Sequence, residues 1–204
     1  MPSARRLSQT LGLMNTPSFF RKSQSREFFA HHMLLHAAEL QVAEAENSPA
    51  GRFNKCLAAM VMTALAVEAL ANAVGSRVVV DWPKFERMRP WEKLDLLVSE
   101  LAIARDDTKE PWNTIRYLAK FRNDIAHAKP ELVEEEQLLP EVALARKVFD
   151  KPISSMEQEI TVGNARRIHS TVHSLKGILT DALPVKKRFG IYVDAWSGRE
   201  GLPA

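Results

Sequence analysis

The chain has one cysteine, Cys56, in 204 residues. A single thiol excludes an internal disulfide framework and a cysteine-based metal site, and it suits a reducing compartment. The eight glycines never fall into GxxxxGK or GxGxxG, so the phosphate-cradling loops of nucleotide-binding folds are missing. No GxSxG elbow occurs. No run reaches the roughly eighteen consecutive apolar residues of a membrane span. The segment after Arg5 and Arg6 is polar and broken by Gly12 and Pro17, unlike the apolar stretch of a signal peptide. Repeats and low-complexity tracts are absent. These absences predict a cytoplasmic protein with no membrane partner.

What is present is a core. Hydrophobic residues make up 46% and charged residues 26%, in the range of one well-packed globular domain. The net charge of +3 and pI near 9.1 permit an anionic partner without requiring one. The charge is uneven. The first thirty residues hold five basic groups and one acid, whereas Glu131–Glu141 holds five acids and no base.

Apolar spacing is helical almost throughout, and only "RVVVDW" (Arg77–Trp82) has the β-branched density of a short strand. The pattern predicts an all-α, up-and-down helical bundle with extra C-terminal helices. A loose basic arm is expected over 1–22, a helical domain over 23–183 and a tail over 184–204. Within the domain, helices are expected at about 25–45, Arg52–Val74, 89–104, 110–129, Leu139–Phe149 and Ser155–Ala182. Gly75 is expected past the end of the second, in a left-handed position. Pro111 suits the first turn of the fourth, and Pro130 blocks its extension.

The second helix, "CLAAMVMTALAVEALANAV", is apolar nearly all the way round, so it belongs at the centre of its bundle or against another subunit. Glu68 and Asn72 lie one turn apart on one face of it. A carboxylate there needs a cationic or hydrogen-bonding partner. On the fourth helix, Ile115, Leu118, Ala119 and Ala126 share an arc with Phe121 and Ile125 at its flanks. Arg122 falls in the middle. Burying a guanidinium without a counter-charge costs several kcal/mol, on the order of the effective desolvation penalty of an ion. Arg122 could therefore pair with Glu68, pair across a subunit interface, or face a cleft where an anionic ligand supplies the charge.

The stretch "FRNDIAHA" resembles the signature of the HEPN superfamily, in which Arg, a polar residue and a later His form an R-x4-6-H motif near a helix end. Arg122 and Asn123 match its opening and His127 its close. "TALAVEALANAV" and "PWEKLDLLV" are similar to the family's other bundle helices. The resemblance implies a helical fold, generally a homodimer, and for many members an endoribonuclease that uses neither metal nor cofactor. Such enzymes work in toxin, antiphage and RNA-processing systems, where a cognate antitoxin or regulatory protein is a further partner. Other members are inactive dimerisation or RNA-binding modules. Lys129 stands where toxins paired with a nucleotidyltransferase carry a tyrosine, so modification at that position is not implied.

These residues suit the chemistry. RNA carries its own nucleophile, the 2′-hydroxyl, and cleavage needs a proton-transfer group and a cation against the phosphorane's charge. Histidine and arginine supply them. Asn123 could hold the imidazole or contact phosphate. Arg122 and His127 lie about 140° apart on an ideal helix, so either the helix unwinds before Pro130 or a twofold axis pairs two copies of the motif. The second is expected, a dimer with a composite cleft holding two copies of Arg122, Asn123 and His127. Arg116, Lys120 and Lys129 are candidate RNA contacts, and Glu68 and Asn72 candidate structural partners. His32 with His36, and His169 with His173, have one-turn spacing but no HExxH arrangement. They are read as surface histidines. The expected function is RNA cleavage by 2′-OH attack, the alternatives being an inactive RNA-binding module and a helical adaptor without nucleic acid.

Overall fold

The computed structural model describes residues 23–136, 138, 142, 151–193 and 196–199. The fold is all-α: among the described residues six α-helices are complete, and the only strands are two of four residues each. Those strands, β1 (Ser23–Arg26) and β2 (Trp196–Arg199), pair antiparallel with Ser23 opposite Arg199 and Arg26 opposite Trp196. They form one compact unit. The helices form the other, Glu27–Ala195.

Helix α1 (Ala30–Asn47) buries Leu35, Ala38, Val42 and Ala45, a three-four spacing that puts one stripe on the core. It starts five residues later than the sequence pattern suggests. Phe29 is its N-cap and is itself buried. At the other end the Arg52 Nε donates to the Ala45 carbonyl at 2.9 Å, satisfying one of the last-turn acceptors. Gly51, at φ 65°, turns the chain into α2 (Arg52–Val78).

Helix α2 is the central element and packs against α1 and three of the helices that follow it. Its best eighteen-residue window has a mean hydropathy of 1.8, enough by length and composition to cross a membrane, although no uninterrupted apolar run that long exists. Half of that window is buried inside the bundle, as in the core helix of a globular fold. Two local expectations fail here. Gly75 does not stop the helix, which continues to Val78, and "RVVVDW" forms no strand. Instead the chain reverses through Asp81 (φ 59°) into a single 3-10 turn, Trp82–Lys84. The Trp82 indole then lies directly on Gly75, where a Cβ would come within 2.4 Å of the ring. Close approach, rather than a left-handed cap, explains this glycine.

Helix α3 (Pro90–Glu100) begins with Pro90 in its first turn, and Glu92 accepts from the Arg89 amide at 2.9 Å. Helix α4 (Trp112–Ala126) buries Ile115, Leu118 and Phe121. Pro111 is its N-cap rather than a first-turn residue. Of the helix expected at Leu139–Phe149 only Val142 lies among the described residues, and it is helical.

The expected helix over Ser155–Ala182 is two: α5 (Ser155–Glu159) and α6 (Val162–Ala182). Thr161 breaks them, its hydroxyl accepting from the Asn164 amide at 3.2 Å as the cap of α6. Tyr117 of α4 donates to Glu159 at 3.2 Å, and burial first, then this carboxylate, pushes its phenol up to about 12. The chain after Pro184 folds back onto the helices. Ile191 is fully buried, and the Nε2 atoms of His31 and His32 lie 3.0 Å and 2.9 Å from the carbonyls of Ile191 and Gly190. The compact unit thus runs past the expected boundary at 183.

Candidate functional site

Helices α2, α3 and α4 meet around Glu68, Lys93 and Arg122. Lys93 has no exposed surface, and its ammonium donates to Glu68 Oε1 at 2.9 Å. A lysine is almost never fully buried without a partner, and this carboxylate is that partner. The other oxygen, Oε2, lies 3.6 Å from Arg122 Nη2, too far for a hydrogen bond.

Arg122 and Glu68 thus form an ion pair without a hydrogen bond. The Arg122 side chain is 37% exposed, and its Nη1 donates to Asn123 Oδ1 at 3.2 Å. Among the described residues no other group accepts a hydrogen bond from it, although a guanidinium has five donors. The wheel's prediction of an arginine inside the apolar arc is half right. Arg122 borders a small apolar pocket with Val67, Leu94, Leu118 and Ala119 and also lines an open, more polar cleft, as an amphipathic side chain can.

That cleft has a volume of about 480 Å³, within the range of ligand-binding pockets. Arg122, Asn123, His127 and Glu68 line one part of it, and Arg87, Met88, Arg89 and Pro90 the other. The three residues of the motif are thus brought together by one chain. Helix α4 ends at Ala126, and His127 leaves helical geometry at φ −120°, ψ 17°. Its amide still bonds the Asn123 carbonyl at 3.0 Å, which ties the histidine's backbone to the last turn. The His127 residue is exposed.

The charge balance of the cleft follows from Lys93. Lys93 offsets the charge of Glu68, and the cleft lining holds Arg87, Arg89 and Arg122 against that one carboxylate. Glu92 takes the Arg89 backbone amide at 2.9 Å, and among the described residues neither the Arg87 nor the Arg89 side chain forms an ion pair. The cleft is an anion-attracting concavity.

The other expected contacts lie elsewhere. Arg116 forms an ion pair with Asp107 and sits 5.1 Å over the Trp91 ring. Lys120 pairs with Asp124 at 2.6 Å. Lys129 is exposed beyond the helix end. None of the three lines the cleft. Asn72, one turn after Glu68, keeps a buried Oδ1 without a hydrogen-bond partner among the described residues and also stands outside the cleft. The one-turn histidine pairs hold structure as well as surface. His32 contacts the Gly190 carbonyl, and His169 Nε2 lies 3.1 Å from the Leu35 carbonyl.

Sequence reasoning missed Arg87, Arg89 and Lys93. The first two sit in a turn with no periodicity to read, and their only signal was their density before a helix-starting proline, in "ERMRPWEK". Comparison with protein-family models, curated proteins and solved structures finds no match to the chain.

Proposed function

We propose that the protein is a HEPN-like endoribonuclease that cleaves RNA by attack of the 2′-hydroxyl, with the cleft at Arg122 and His127 as its active site. The observation that carries this reading is the half-buried Arg122, in the same 480 Å³ cleft as His127 and paired at 3.6 Å with a Glu68 whose charge buried Lys93 already offsets. His127 takes the proton from O2′ as the O2′–P bond forms. Arg122 binds the non-bridging oxygens and stabilises the added negative charge of the phosphorane. The P–O5′ bond then breaks, leaving a 2′,3′-cyclic phosphate and a 5′-oxygen that takes up a proton. Asn123 orients Arg122 through its Oδ1.

In this reading the protein acts in the cytoplasm as a homodimer, in a toxin or antiphage setting, with an antitoxin or regulator as further partner. The half of α2's apolar window left outside the core supports a second copy packing there. A second reading, an inactive RNA-binding module, is favoured by the 3.6 Å approach of Glu68 to Arg122, which would make that contact structural. The discriminating assay incubates purified protein with a broad panel of end-labelled RNAs in excess EDTA. Cyclic phosphate ends with wild type and their loss in folded His127→Ala support the enzyme. A wild-type protein that binds the panel and cuts none of it supports the module.

A further inference from the structure

Arg87 and Arg89 are in the cleft but have no part in the reaction just described. Both are exposed and line the cleft from the turn before α3, and among the described residues neither side chain forms an ion pair. Their backbone is well held. Phe85 N donates to the Trp82 carbonyl at 2.8 Å, Met88 N to the Phe85 carbonyl at 3.0 Å, and Arg89 N to Glu92 at 2.9 Å. Trp82 beneath them is buried against Gly75.

Two features decide what such a wall binds. First, a concavity that concentrates three guanidiniums is self-repulsive until an anion enters, and it attracts anions from a distance. Second, the cations of the cleft come from two elements. Arg122 belongs to α4, whereas Arg87 and Arg89 belong to the turn before α3, so a lone phosphate bound at Arg122 leaves a second cationic group. A polymer with regularly spaced phosphates fills both. Arginine forks bind phosphate oxygens two at a time and do so without reading sequence.

We propose that Arg87 and Arg89 form a second phosphate subsite that holds the phosphate neighbouring the scissile one, so that the cleft takes two consecutive phosphates of a single RNA strand. This rests on the reading of the cleft as an RNA site. Arg122 and His127 act on the reacting phosphate, and Arg87 and Arg89 are binding residues that set affinity and the minimum substrate length. Binding at this wall is sequence-tolerant and salt-sensitive.

The experiment uses the full chain and 2′-O-methyl oligouridylates, which cannot be cut. Affinities are measured by calorimetry for the dinucleotide with one phosphate and the trinucleotide with two. The expected result is an affinity gain of about tenfold from the first to the second in wild type. The Arg87→Ala/Arg89→Ala variant, both positions being exposed, should keep its melting temperature and lose that step. Its salt dependence on longer strands should fall by about 0.7 units of log K against log salt, the contribution of one phosphate contact on a single strand. An equal step in wild type and variant, or no step in wild type, overturns the subsite. A step present in wild type and lost in the variant, with no cutting of the matching RNA, upholds the subsite and sinks the nuclease reading alone. Cutting that leaves the variant's affinity unchanged does the reverse.

Discussion

Lys93, with no surface of its own, holds Glu68 at 2.9 Å, and so keeps the carboxylate from closing on Arg122. The pair has a stability role and a charge role, and substitutions separate them. Glu68→Gln leaves a buried ammonium uncompensated and should destabilise by about 3 kcal/mol, the loss expected when one partner of a buried pair is removed. Lys93→Met should cost less, because Glu68 remains partly exposed beside Arg122. It should nonetheless weaken RNA binding severalfold, since Arg122 then becomes Glu68's only cation. Glu68→Gln/Lys93→Met should recover most of the stability lost in Glu68→Gln. Urea titrations of the four proteins and one binding curve for Lys93→Met check this. A Glu68→Gln protein as stable as wild type would remove the pair from the account.

Gly75→Ala offers a test with competing signs. Within a helix, alanine is favoured over glycine by about 1 kcal/mol. At this position a Cβ would come within 2.4 Å of the buried Trp82 ring, and overpacking typically costs about 1–3 kcal/mol. The clash should win. A lower urea midpoint is expected for Gly75→Ala, with recovery in Gly75→Ala/Trp82→Leu. Because Trp82 underlies the turn that carries Arg87 and Arg89, the alanine variant should also bind RNA more weakly.

The helices themselves were legible because a 3.6-residue apolar period survives any tertiary context. The motif could be found from Arg122, Asn123 and His127, because spacing within one helix end is local. Three features were not legible, each for a physical reason. Lys93 reads as a surface lysine until α2 places a carboxylate over it. Gly75 looks like a helix stop, and only the return of Trp82 shows that its missing side chain is needed for space. The break at Thr161 is set by a hydroxyl capping an amide three residues on, which hydrophobic periodicity does not register. Arg116 is held by Asp107, in the turn before α4, and by Trp91 of α3, neither of which a wheel of α4 contains.

Acid should weaken the fold through His173. Its ring lies 4.6 Å from that of His169. Partial burial first, then the charges of His169, Lys176 and His32, push its pKa below the ordinary 6.5, with Glu39 opposing. A lowered folded-state pKa means the unfolded chain takes up the proton first as pH falls. The stability contributed is intact above about 6.5 and is lost as pH drops through that value and through the folded pKa. The urea midpoint should be lower at pH 5 than at pH 7.5, and His173→Gln should flatten part of that decline. An identical pH profile in the variant would show that other groups cause it.

The most direct measurement takes an RNA strand that the protein cuts in excess EDTA and compares it with the same strand carrying one 2′-deoxyribose at the cut site. Product masses are read for wild type, His127→Ala and Arg122→Ala. The account expects a 2′,3′-cyclic phosphate at the cut, no cutting at the deoxy position, and rates lower by about 10²–10⁴ in His127→Ala and about 10²–10³ in Arg122→Ala. Cutting at the deoxy position, or wild-type rates in either folded variant, would contradict it.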